Sequence, residues 1–201
     1  ASLWHGSKSF LQLVSAMHAL PVQVGDLTIA NDKPLTLIAG PCALEGLDHA
    51  LMIAETLKAH CARAGIGYIF KGSFDKANRS SLAGQRGLGI DAGLQVLAEV
   101  RARLGIPVIT DVHAPEQCAL AADAVDILQI PAFLCRQTDL LIAAGQTGAA
   151  ININKGQFLA PWNMSHLAEK VASTGNTRIL LPERGVCFGY NTLVTDLRAL
   201  P

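Results

Sequence analysis

The sequence predicts an α/β protein built on parallel strands, and three observations predict it. Short apolar, β-prone runs alternate with helical runs at roughly 20 to 35 residues per unit. The strand runs are apolar almost throughout, as strands covered on both faces are. Polar residues gather just past the C-terminal ends of successive strands: Cys42, Lys71, Asp111 with His113, Gln129, Asn154 with Lys155, and Arg184. An open doubly wound sheet concentrates its site at one switch point, whereas a (β/α)₈ barrel draws on many strands. The barrel is therefore preferred. No GxGxxG follows the first parallel strand, so neither a nucleotide nor a flavin cofactor is expected.

The elements follow in order. Residues 1–20 hold one basic residue, Lys8, and a broken apolar run, too weak a pattern for a signal peptide. They are read as an extension, and residues 21–201 as an incomplete barrel domain. Val22 to Ala30 carries two short β-prone runs around Gly25-Asp26, a small hairpin. Pro34 to Ala39 is the first parallel strand. From Glu45 to Ala64, Leu51, Ala54, Leu57, the stem of Lys58 and Cys61 recur at helical spacing. Gly67 to Phe70 is the second strand, Asp91 to Leu104 a helix, and Pro107 to Val112 the third strand. A short helix spans Pro115 to Ala122, and the fourth strand Val125 to Ile130. Asp139 to Ala144 is helical and Ala149 to Asn154 the fifth strand. Ser165 to Thr174 is helical, Thr177 to Leu181 the sixth strand, and a sixth helix is expected towards Pro201. Six parallel strands are counted where a closed barrel has eight.

Composition narrows the function. Lys+Arg and Asp+Glu are both 16, so the basic excess of a nucleic-acid binder is missing. No uninterrupted apolar stretch of about 18 residues is present to cross a membrane as a helix. The 5 cysteines are scattered without CxxC spacing, which points to reduced thiols and a cytoplasmic protein.

Lys71 to Ser81, KGSFDKANRSS, is the densest stretch of chemistry. It continues an apolar strand and carries Lys71, Lys76 and Arg79 among the hydroxyls Ser73, Ser80 and Ser81, a donor set suited to a phosphorylated ligand. Arg136, Lys155 and Arg184 extend the cation group, against Asp75, Asp111 and Glu183. That balance points to a strongly anionic substrate. Arg86 is read as an ordinary solvated loop cation. Asp111 and His113 lie two apart and share a strand face, as an acid and base pair or as hydroxyl ligands. In Ile151-Asn152-Ile153-Asn154, outward isoleucines would turn both asparagines inward. Cys42 is a nucleophile, a metal ligand or a small buried apolar residue, and spacing alone does not choose.

At these residues the sequence resembles the 3-deoxy-D-manno-octulosonate-8-phosphate synthase family. The resemblance rests on AGPCALE (Ala39 to Glu45), FKGSFDKANRSS (Phe70 to Ser81), ITDVH (Ile109 to His113) and QIPAFLCRQTDLL (Gln129 to Leu141). It continues in KGQFLAPW (Lys155 to Trp162) and ERGVCFGYNTLVTD (Glu183 to Asp196). It implies a (β/α)₈ TIM barrel with an N-terminal β-hairpin, assembled as a homotetramer. It also implies condensation of phosphoenolpyruvate with arabinose 5-phosphate and water, in lipopolysaccharide Kdo biosynthesis. Lys76, Asp111 and His113 would be catalytic. Lys71, Lys76 and Arg184 would hold phosphoenolpyruvate, together with the main chain around Ala132 and Phe133, and Gln129, Asn154 and Lys155 would be further substrate-binding residues. Asn78 and Asp111 would contact the pentose. Arg79 and Ser80 would take its phosphate, joined by Arg136 from a neighbouring subunit. Cys42 matches the metal-dependent branch and implies a divalent metal, its other ligands expected beyond Pro201. Asn154 departs from the family, which has lysine there, and so removes a charge.

Three alternatives stand beside this reading. They are an incomplete, inactive barrel that only binds phosphorylated ligands, the related 3-deoxy-heptulosonate-7-phosphate synthase activity, and a Schiff-base aldolase using Lys71 or Lys155.

Overall fold

A hairpin opens the described part of the chain, residues 20–200 of a computed structural model. Its strands β1 (Val22–Val24) and β2 (Leu27–Ile29) pair antiparallel across Gly25-Asp26. The extension expected over residues 1–20 falls, apart from Leu20, outside the described residues. Six parallel strands follow in chain order: β3 (Thr36–Ala39), β4 (Gly67–Lys71), β5 (Val108–Asp111), β6 (Ile127–Ile130), β7 (Ala150–Ile153) and β8 (Ile179–Leu180). Helices α1 (Leu47–Ala64), α2 (Ile90–Leu104), α3 (Pro115–Ala124), α4 (Thr138–Gln146) and α5 (Met164–Ala172) fill the crossovers. Each strand pairs only with its sequence neighbours, which is the order of a barrel and not of a doubly wound sheet. Among the described residues β3 and β8 each keep one unpaired edge, so the sheet is a curled part-barrel of six strands.

Strand periodicity sorts the apolar residues into two cores. Phe70, Val108, Leu128, Ile130, Ile151 and Ile153 face the helices and pack with Leu97, Val100, Leu141, Leu167 and Val171. Their alternates Ile69, Ile109, Ile127 and Ala150 face the concave side and pack on Val22 and Val24 of the hairpin. The hairpin thus plugs the lower end of the concavity. The upper end is left to the residues two further along each strand, which are polar.

Several boundaries differ from expectation. Val125 caps α3, its N–H donating to Ala121 O at 3.0 Å, and β6 starts two residues later. The sixth strand is reduced to Ile179–Leu180. No sixth α-helix follows among the described residues, only a short 3₁₀ turn at Leu197–Ala199. Instead β9 (Val186–Cys187) and β10 (Leu193–Val194) form an antiparallel hairpin. The segment is rich in β-prone residues, and Gly189 (φ 76) and Asn191 (φ 54) take the left-handed conformations of its turn. Gly40 matters by close approach: a Cβ there would lie 2.0 Å from the Lys71 carbonyl oxygen. Only glycine lets the β3 loop, with Cys42, pass beside the end of β4.

Candidate active site

Lys71 is the last residue of β4, and the face it shares with Ile69 is the concave one. Its Nζ lies 3.5 Å from Asp111 Oδ1 and 3.4 Å from Ser73 Oγ. The Ser73 hydroxyl donates to the same Oδ1. His113 Nε2 lies 3.0 Å from Asp111 Oδ2, so both carboxylate oxygens are engaged. Burial alone would raise the Asp111 carboxyl. Hydrogen bonds from His113 and Ser73 and the charges of Lys71 and Lys76 outweigh it, and hold Asp111 well below the usual carboxylate range. At Lys71 burial wins: its pKa is lowered despite the opposing pull of Asp111, and the nearby charge of Lys76 adds to the lowering.

His113 is held from several sides. Its backbone N–H donates to Gln117 Oε1 at 2.8 Å, and the Phe74 ring stands edge-on to the imidazole at 5.8 Å. Phe74 fits because Gly93 of α2 carries no Cβ, which would fall 2.3 Å from the Phe74 Cβ. With Nε2 donating to Asp111, the buried Nδ1 has no partner among the described residues. It can accept a proton when neutral or donate one when charged.

A row of amides continues the site across the sheet. Asp111 is in register with Gln129, and Gln129 with Asn152. The Asn152 amide donates to Gln129 Oε1 at 3.1 Å and to Asn154 Oδ1 at 3.4 Å. Asn152 and Asn154 thus face the concave side while Ile151 and Ile153 pack on the helices. Asn152 is buried as the floor, and Asn154 is half-buried nearer the mouth.

The rest of the predicted constellation is placed less uniformly. Lys76 is half-buried and close enough to Lys71 and Asp111 for its charge to act on both. Asn78, Arg79 and Ser80 lie exposed beyond it, with Arg79 Nε donating to Gln85 O at 2.9 Å. Arg86 is not merely solvated. It forms a two-pronged pair with Asp75, Nε to Oδ1 at 2.7 Å, while Lys76 N–H donates to Arg86 O at 2.6 Å. This pins the ends of the loop and takes Asp75 out of competition for Lys76. Ala132 is buried and Phe133 exposed in a short 3₁₀ turn after β6. Arg136 is exposed at the end of that turn, its carbonyl accepting from Lys170 Nζ at 3.1 Å. Arg184 is exposed after β8.

Lys155 does not join the group. It is 2% exposed and lines the groove beside β8 and α5, its ammonium held by carbonyls of its own and the next loop. Cys42 is exposed on the β3 loop. Among the described residues no group of three or more His, Cys, Asp or Glu side chains converges to hold a metal. One thiol does not by itself make a metal site. Gln117 is the site residue that the reading of single motifs passed over, and Ser73, read there as a donor to a phosphorylated ligand, donates instead to Asp111. Ser73 was legible in one respect: two residues after Lys71, it shares the same face.

A half-buried cation, a low-pKa carboxylate and an imidazole at the C-terminal ends of parallel strands define a barrel-type α/β protein with a charged cluster at its mouth. The chain belongs to the DAHP synthetase I family, whose profile matches residues 14–201. It is 64% identical over 180 residues to the 2-dehydro-3-deoxyphosphooctonate aldolase of Methylobacterium radiotolerans, covering 90% of this chain and 63% of that protein. The enzyme of the same name from Granulibacter bethesdensis is 61% identical over 180 residues, covering 90% of this chain and 64% of the relative. That from Rickettsia bellii is 60% identical over 179 residues, covering 89% and 65%. The chain therefore spans a little under two thirds of the length of the curated relatives it matches.

Proposed function

We propose that this chain forms the larger part of an enzyme that condenses phosphoenolpyruvate with arabinose 5-phosphate and water. The products are 3-deoxy-D-manno-octulosonate 8-phosphate and inorganic phosphate. The observation that carries the reading is the Lys71–Ser73–Asp111–His113 cluster at the strand ends, with Lys76 beside it. The names of the relatives support it.

In this reading Lys71, Lys76 and the exposed Arg184 hold the carboxylate and phosphate of phosphoenolpyruvate, and Gln129 and Asn154 orient it. Asn78 and Asp111 meet the pentose hydroxyls, and Arg79 and Ser80 its phosphate, with Arg136 reaching across to a neighbouring copy. Lys76 polarises the aldehyde. The enol carbon attacks the carbonyl carbon, the carbon–carbon bond forms, and the carbonyl electron pair becomes a hydroxyl by taking a proton. Water adds to the cationic carbon that this attack leaves beside the phosphate oxygen, and its proton passes to a base. His113, with Nε2 fixed on Asp111, offers Nδ1 for such a transfer. Cleavage of the carbon–oxygen bond to phosphate completes the balance. Fixed charges and positioning carry most of the barrier reduction. The same reading makes the protein a cytoplasmic homo-oligomer and gives Cys42 to a divalent metal completed by other polypeptide.

The alternative is the related 3-deoxy-heptulosonate-7-phosphate synthase activity, so the acceptor length is the test. Phosphate release from phosphoenolpyruvate is measured in the full-length protein with five-carbon and four-carbon aldose phosphates, with and without divalent metal. Preference for the five-carbon acceptor is expected, and preference for the four-carbon one overturns the reading. Borohydride should trap no imine on Lys71 or Lys155.

A further inference from the structure

Lys155 is a buried cation that the proposed chemistry leaves without a task. Its ammonium carries three N–H donors and meets three backbone carbonyls: Gly185 O at 2.9 Å, Leu159 O at 3.2 Å and Gly156 O at 3.4 Å. Glu183 Oε1 lies 3.5 Å away, and the two side chains are 2% and 10% exposed. The same Oε1 accepts the backbone N–H of Arg184 at 3.0 Å and of Gly185 at 2.5 Å. The Lys155 N–H in turn donates to Pro182 O at 3.2 Å.

Arg184 is therefore bracketed. Its own N–H is held by Glu183, and the next residue is held at N–H by Glu183 and at C=O by Lys155. The Arg184 side chain is left exposed. A buried ammonium is costly unless it is paired and fully hydrogen-bonded, and here it is both. A ligand oxygen could reach it only by displacing a carbonyl.

We propose that Lys155 is a positioning residue: with Glu183 it clamps the backbone of Glu183–Arg184–Gly185 and so aims the Arg184 guanidinium, without touching a ligand itself. The inference deepens the proposed function, because it rests on Arg184 being an anion-binding group.

The test is hydrogen exchange at the Arg184 and Gly185 amides, set beside phosphoenolpyruvate and arabinose 5-phosphate affinity, in the full-length protein. In Lys155→Met these two amides should exchange at least tenfold faster while amides of β5 keep their rates. Phosphoenolpyruvate binding should weaken about tenfold and arabinose 5-phosphate binding hardly at all. Glu183→Gln keeps the side-chain shape and guards against misfolding of the first variant. It should move both readouts the same way by less, and the double variant should add little to Lys155→Met. Weakened phosphoenolpyruvate binding with unchanged exchange would make Lys155 a direct ligand and overturn the proposal. Faster exchange with unchanged affinity would overturn the positioning role. Arg184→Ala with undiminished phosphoenolpyruvate affinity would instead sink the role given to Arg184, and the exchange result would still decide the clamp.

Discussion

Two layers of the concave face sit one pleat apart on the same four strands. The lower layer is Ile69, Ile109, Ile127 and Ala150, sealed by Val22 and Val24 of the hairpin. The upper layer, two residues or roughly 7 Å further along each strand, is Lys71, Asp111, Gln129 and Asn152. The backbone is common to both, and the depth differs. The lower residues meet only apolar partners and can contribute only burial. The upper residues open towards the mouth, where Lys71 and Asp111 are kept as a hydrogen-bonded ion pair. Stability and chemistry are thus divided along the strand axis, which lets one layer change with little effect on the other.

That separation can be broken or sharpened by substitution. The largest expected effect is Lys71→Met in the full-length protein. Loss of one preorganised charge should lower kcat/KM on the order of 10³-fold, while Asp111 keeps Ser73 and His113 as partners, so the unfolding free energy should fall by less than in a core truncation. A large stability loss would show that the upper layer also holds the fold. Ile109→Ala is the converse. It should cost about 2–5 kcal/mol of unfolding free energy, with activity per folded molecule retained. A selective loss of activity would show that the layers are coupled.

Of the two layers, only the upper one holds a titratable carboxylate, Asp111, for acid to act on. The Asp111 pKa is lowered in the fold from 3.8, so its contribution to stability is fully present above pH 3.8. That contribution is lost as pH falls below 3.8 towards the folded value, because the unfolded chain binds the proton first. Asp111→Asn should therefore flatten the acid limb of a stability–pH curve, and an unaltered limb would contradict the assignment. The smallest effect is expected for Ser73→Ala, about 0.5–1.5 kcal/mol for one lost hydrogen bond, because Lys71 and His113 still engage Asp111. It should also move the pH dependence set by Asp111, whose lowered pKa Ser73 helps to hold. A pure stability change with an unmoved pH profile would make Ser73 structural only.

The pattern of elements was readable because burial imposes its period on sequence. Isoleucine alternation in Ile151-Asn152-Ile153-Asn154 assigned both faces of β7 correctly. The hairpin after β8 was not read, because its β-prone residues and turn lie where barrel succession calls for a helix. Arg86 looked idle in sequence because its partner Asp75 is eleven residues away across a loop.

Taken alone, the sequence determined the order of strands and helices, the faces of the strands and the cluster of charge at their ends. These follow from side-chain period and residue type, which are local. Tertiary structure decided which of those charges work together. Lys71, Ser73, Asp111 and His113 meet because β4 and β5 pair side by side. Lys155, equally cationic and equally placed after a strand, was turned to the carbonyls of Gly156, Leu159 and Gly185. A charge takes its role from the groups that surround it once water is excluded, and those groups come from distant parts of the chain.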